Sequence, residues 1–315
     1  MDNAKVIGLR VLIMSVILII GVLAYKRKII TASGTKQLSA VELNIVNPLM
    51  IFMSYQSDYD PQRLKGLLWS FVLSAVSFAL MIPLAGILKR KSNENYAVER
   101  FSCIYSNCGF MGIPLINALF GSDGVLYLTA YITVFNLLVF THGYMLMKEE
   151  HDLSAFVKAV RSPTVIAVFI GVIFYVLNIR LANLSVAGSV LGDSFKFIAD
   201  MNTPLAMLIA GATAAQSQLL RSLFDKNIML TTFYKLLLLP CCVILLFRFL
   251  PHSQSLMPEL IVCIACACPA ATTGTMFALL FDRNAKRCSE IFAVTTILSM
   301  ATLPVITAIA TAFIK

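Results

Sequence analysis

The chain has 315 residues, 59% hydrophobic and only 13% charged, with a formal net charge of +9. Its mean hydropathy is +0.84, and apolar runs long enough to cross a bilayer recur from end to end, which excludes a soluble domain and predicts an all-α integral membrane protein. The positive charge does not point to nucleic acid: the basic residues are dispersed between apolar runs, leave no basic face for a duplex, and read as topology signals.

In chain order, ten spans are expected, at about 6–25, 39–56, 66–88, 98–120, 124–147, 163–179, 200–217, 227–250, 258–281 and 288–313. The first, Val6 to Ala24, is longer than a signal-peptide core and is followed by Lys26, Arg27 and Lys28 rather than a small-residue cleavage site. It is expected to stay as a helix with its N-terminus outside. Gly188 to Phe197 is less apolar and predicts an interfacial lead-in to the seventh span. Of the 25 Lys and Arg residues, 16 fall in odd-numbered loops, 8 on the opposite side, and Lys235 lies within a span. That bias predicts cytoplasmic odd loops, both termini extracytoplasmic, and a multi-pass protein of the cell (plasma) membrane.

The prolines carry an internal repeat. Pro48, Pro83 and Pro114 in spans two to four match Pro204, Pro240 and Pro269 in spans seven to nine at offsets of 156, 157 and 155. Five spans per half is an odd number, so the second half must run inverted. The expected architecture is two inverted five-helix repeats, residues 1–155 and 156–315. Inverted repeats with matched broken helices are the sequence sign of a secondary transporter with a central site.

Span four holds Asn107, Gly109, Gly112 and Pro114 within eight residues, and span nine holds Cys268, Pro269, Thr272, Thr273, Gly274 and Thr275. Gly and Pro weaken a helix, and broken backbone at membrane depth persists only inside protein or beside a wet cavity. Spans four and nine are therefore expected to break and cross at mid-membrane, near Pro114 and Pro269. The freed N–H groups and half-helix N-termini would suit an anion, with Asn107 and the threonine hydroxyls adding hydrogen bonds. Each threonine taken alone is better read as a back-bonded helix residue.

Ionisable residues within spans are candidates for function by default. They are Lys235, His142 and, nearer span ends, Glu42, Asp200, Glu259 and Glu290. Lys235 could neutralise an anion or snorkel to the interface, and His142 could relay protons or sit at the cytoplasmic surface. The eight cysteines lie in or beside apolar runs and read as small hydrophobes rather than metal ligands. No cofactor is expected.

The run N-C-G-F-M-G-I-P-L-I-N-A-L-F-G from Asn107 resembles the fourth-helix motif of the auxin efflux carrier family, which includes plant PIN carriers and bacterial malate and malonate permease-like proteins. The likeness extends to P-L-M-I-F from Pro48, P-L-A-M-L-I-A-G from Pro204 and the stretch Pro269 to Asp282. It implies a fold similar to sodium/bile-acid symporters and sodium/proton antiporters. It also implies a scaffold of spans 1, 2, 6 and 7, dimeric in many members, and a transport domain of spans 3–5 and 8–10 that moves as an elevator. This sequence departs from the plant members at Gly274, where they have a second proline, and it lacks their long central loop.

The expected function is transport of a small organic anion, a carboxylate, by alternating access. Substrate-binding residues are expected to be Asn107, Cys108, Gly112, Pro114, Pro269, Thr272, Thr273 and Gly274, with Lys235 and His142 in charge or coupling roles. The alternative is a Na⁺- or H⁺-coupled symporter or antiporter of the same fold for another solute. An enzyme is not expected, because no metal-ligand set or paired mid-span acids occur.

Overall fold

The computed structural model describes residues 2–88, 94–148, 161, 163–216, 222–250 and 256–314. The basic residues Lys89 to Lys91, Lys158, Arg221 and Lys315, and the expected repeat boundary after residue 155, lie outside the described residues. Among the described residues all regular structure is helical, apart from one isolated antiparallel bridge between Ser106 and Ala270. Five helical stretches are long and apolar enough to cross a membrane: Pro61–Ile87, Cys108–Lys148, Val186–Ala215, Lys226–Phe247 and Ala285–Phe313.

The helices are α1 (Asp2–Lys26), α2 (Ala32–Val41), α3 (Asn47–Ser54), α4 (Pro61–Leu88), α5 (Tyr96–Ile104), α6 (Ile113–Leu138), α7 (Tyr144–Lys148) and α8 (Pro163–Val176). They continue with α9 (Leu181–Leu184), α10 (Val186–Ala199), α11 (Asn202–Ala215), α12 (Lys226–Phe233), α13 (Leu239–Phe247), α14 (Met257–Ala267), α15 (Thr273–Leu280) and α16 (Ala285–Phe313).

Three prolines shape their helices in the same way. Pro48, Pro114 and Pro240 stand in the first two positions of α3, α6 and α13. Each is preceded by a wider π turn, at Glu42–Val46, Cys108–Gly112 and Tyr234–Leu238. Proline has no N–H and its ring crowds the carbonyl four residues back. A turn closed at five residues relieves that crowding and lets the helix continue.

Two boundaries differ from expectation. The second span begins at Ala32, where Thr31 caps the helix by accepting from the Gly34 N–H at 3.0 Å. The stretch Gly188 to Phe197, ahead of the expected seventh span, is already helical as the body of α10, capped by Ser185 through the Gly188 N–H at 3.1 Å. Local capping outweighs mean hydropathy at both sites. Within α6 the chain turns at Gly121, with φ 64° and ψ −157°, a conformation open essentially to glycine alone.

Helix contacts are closest where glycine removes the side chain. A Cβ at Gly211 would lie 2.0 Å from the Leu18 carbonyl oxygen, and one at Gly21 would lie 2.4 Å from that of Leu208. So α1 and α11 meet backbone to backbone, the mode by which small residues join membrane helices. Elsewhere α1 and α11 meet α6 and α16 across a soft seam of Met14, Met111, Met207 and Met300 with Leu neighbours, where Ser15 Oγ donates to Met300 Sδ at 2.8 Å. At one end of the bundle Arg287, in the first turn of α16, pairs with buried Glu99 of α5 at 2.9 Å and with Asp225, the N-cap of α12, at 2.6 Å.

Candidate functional site

Two helices are interrupted in the middle of the bundle, and the interruptions touch. Between α5 and the π turn at Cys108, residues Tyr105–Asn107 are not helical; between α14 and α15, Cys268–Thr272 are not helical. The two extended pieces bond to each other. The Asn107 N–H donates to Pro269 O at 2.7 Å and the Ala271 N–H donates to Tyr105 O at 2.9 Å. The Ala270 N–H donates to Thr295 Oγ1 of α16 at 3.1 Å. Buried backbone groups need partners, and here each broken strand supplies them for the other.

The position of the first break differs from expectation. It lies seven to nine residues before Pro114, because proline at the start of a helix costs little and the π turn absorbs its crowding. Several backbone N–H groups at the breaks are already engaged. Those of Asn107, Ala270, Ala271 and Gly274 all have acceptors. Those four are satisfied within the protein, which leaves side chains and the first N–H groups of the two helix ends as the polar groups facing the junction.

Such side chains line a cavity of about 70 Å³ at the junction. Its walls include Asn47, Asn107, Asn136, Thr164, Thr272 and Thr273, with no charged residue among the lining. Asn107 is only 4% exposed, and its Nδ2 has no hydrogen-bond partner; the same is true of Thr273 Oγ1. An unpaired buried donor costs on the order of 1–3 kcal/mol, and the described residues supply neither atom with a partner. Cys108 and Gly109, which begin the π turn leading into α6, and Thr272 and Thr273, at the start of α15, also line it. Two helix N-termini, each with partial positive charge, thus meet one cavity.

The other expected residues serve the frame. Gly112 packs toward Cys108 and Cys268, and a Cβ at Gly274 would lie 2.8 Å from Cys288 Sγ and 2.9 Å from Phe101. Neither these two nor Pro114 and Pro269 are among the cavity lining. His142, in the π turn Val139–Gly143, reaches the first break from outside: its Nδ1 lies 2.8 Å from Tyr105 Oη. Thr275 points away, toward Ser289 Oγ at 3.4 Å.

Lys235 does not snorkel. It is 1% exposed, and the π turn Tyr234–Leu238 aims it at the underside of the junction. Its Nζ donates to Ser106 Oγ at 2.6 Å, to Cys266 O at 3.4 Å and to Ile104 O at 3.5 Å. The last two oxygens belong to the C-terminal turns of α14 and α5.

Behind the cavity wall lies a second polar cluster that the sequence reading did not assemble. Asn202 Nδ2 donates to Glu42 Oε1 at 2.8 Å and to Asn47 Oδ1. Glu42 is 0% exposed and Asn202 2%. Asn47 is thus shared between this cluster and the cavity. The available signal was the asparagine one or two residues before Pro48 and Pro204.

A helical bundle with several membrane-length apolar helices, broken at its centre around a small polar cavity, defines a membrane transport protein. The comparisons with known proteins agree. The chain belongs to the family described as Membrane transport protein, whose model matches residues 6–307, and the auxin efflux carrier resemblance stands with it. The chain is also 25% identical over 303 residues to an uncharacterized transporter of Methanothermobacter thermautotrophicus, covering 91% of this chain and 94% of that protein.

Proposed function

We propose that this protein is a secondary transporter of a small organic anion, a carboxylate, held in the cavity between the two breaks. One observation carries the reading: two buried polar side-chain atoms, Asn107 Nδ2 and Thr273 Oγ1, lack partners on the wall of a cavity that holds no acid and receives two helix N-termini. In this reading a carboxylate accepts from both and lies against the positive helix ends.

Transport then proceeds by alternating access. Ten spans form two inverted repeats, residues 1–155 and 156–315, in the cell membrane with both termini outside. Spans 3–5 and 8–10 carry the cavity as an elevator against a scaffold of spans 1, 2, 6 and 7, through which two copies pair. Three features support the division. The glycine-mediated contact of α1 with α11 makes a stiff pair inside the proposed scaffold. The Glu99–Arg287–Asp225 ion network ties α5, α12 and α16 inside the proposed moving part. The methionine seam lies between them.

The test is ligand-induced stabilisation, because a ligand that binds only the native state raises its melting temperature. Purified protein is heated with mono- and dicarboxylates, including malate and malonate. A saturable rise with at least one, lost in Asn107→Ala, is expected. No rise with any carboxylate, together with a rise for a neutral or cationic solute, would overturn the reading.

A further inference from the structure

The ammonium of Lys235 is buried inside the bundle at the junction, and no carboxylate is among its hydrogen-bond partners. Its contacts are three neutral oxygens: Ser106 Oγ at 2.6 Å, Cys266 O at 3.4 Å and Ile104 O at 3.5 Å. Ser106 Oγ itself donates to Cys266 O at 3.2 Å, which closes the group. Two of the three oxygens end half-helices, α5 and α14, that stop at the junction. Each helix C-terminus carries roughly half a negative charge. Two of them together offset about one positive charge, which is what Lys235 supplies. Hard neutral oxygens and unwound half-helix carbonyls are also the donors with which transporters hold alkali cations.

We propose that Lys235 is a tethered cation: it fills the place that a coupling metal ion would take at the junction, so that this junction binds no sodium. The ammonium is not part of the anion cavity's lining, and Ser106 is common to both. The positive charge that would otherwise arrive with each cycle is built into the chain. A second cation entering about 4 Å from Nζ would be repelled strongly enough to weaken its binding roughly thousandfold at an effective dielectric constant near 20. The π turn is part of the device, since it orients Lys235 inward while Pro240 is accommodated one turn later. The proposal rests on the transporter reading only for its consequence for coupling; the cation chemistry at the junction stands by itself.

The experiment uses the purified full-length protein in detergent, without any organic substrate. Melting temperatures are measured at equal ionic strength in sodium, lithium, potassium, methylammonium and choline chloride. Wild type is expected to melt at the same temperature in all five. Lys235→Ala is expected to melt lower in choline and to recover saturably in sodium, lithium or methylammonium, which refill the vacated oxygens. A side chain needed only for packing would show no such recovery. Lys235→Gln, which keeps most of the volume, gives a second neutral variant should the alanine form fail to fold. A saturable sodium-specific rise in wild type would overturn the proposal. So would folded neutral variants that melt alike in every salt. Carboxylate binding is read separately, so failure of the anion reading leaves these outcomes distinct.

Discussion

Asn47 and Asn202 hydrogen-bond to each other through their side chains across 155 residues of sequence. That separation is one residue short of the offset between the neighbouring Pro48 and Pro204, so the two asparagines stand within one residue of equivalent places if the chain repeats. A contact between near-equivalent residues is what a two-fold axis passing close to it would produce.

This contact also gives Glu42 its donor. Replacing Asn202 with Leu is expected to strand a buried carboxyl and the Asn47 amide oxygen, lowering stability by about 1–3 kcal/mol. Asn44→Ala serves as control, because the Asn44 side chain bonds only to its own helix, at Ala40 O, and is exposed. Thermal unfolding in detergent measures both. Equal melting of the two variants would mean the cluster does not hold the bundle.

At the cavity, Asn107→Ala removes a donor that has no hydrogen-bond partner among the described residues. Loss of one hydrogen bond to a charged ligand costs about 1.5–3 kcal/mol, which is roughly ten- to hundredfold in affinity. Stability should fall little. Thr275→Ala, facing Ser289, should leave affinity unchanged. Isothermal titration with the carboxylate that stabilises wild type best provides the measurement.

Close backbone contact makes Gly211 intolerant. Gly211→Ala places a methyl 2.0 Å from a carbonyl oxygen, so α1 and α11 must separate, at an expected cost of about 1–3 kcal/mol or more. Gly192→Ala, whose Cβ would sit 3.4 Å from Leu181 Cβ, is expected to be neutral or slightly stabilising. Melting temperatures of the pair decide.

The Arg287 guanidinium, which hydrogen-bonds Asp225, holds that carboxyl below the usual range, helped by the Ile228 and Asn227 N–H groups. A depressed folded-state value adds stability above the unfolded value of about 3.9 and loses it as pH falls through the lower folded one. Wild type should therefore lose more stability than Asp225→Asn when acidified from pH 5 toward pH 3. Parallel melting curves against pH would show that the pair contributes nothing there.

Much of this site was legible in the sequence, and the limits have physical reasons. Asn107, Thr272 and Thr273 stand out in the sequence as polar groups beside helix breakers in an apolar run, and all three line the cavity. Pro114 pointed to the right segment but not the right residues, since a π turn let the helix begin at Ile113 and displaced the break to Tyr105–Asn107. The same kind of turn directed Lys235 inward, and composition carries no trace of a one-residue change in helical phase. Gly21 and Gly211 look like ordinary membrane glycines until the helices they join are side by side. The link from Glu42 to Asn202 spans 160 residues, beyond any local pattern.

In the proposed elevator movement, the four methionines between α1 and α11 on one side and the π turn before α6 and α16 on the other would act as a lubricant. A thioether side chain is unbranched and polarisable and repacks at small cost, so a surface built from it can slide and re-form without a deep trap at any one position. The same chemistry exposes the joint to wear. Peroxide converts methionine to a polar sulfoxide, and a seam oxidised at Met111 or Met300 would seize while the cavity beside it stayed intact.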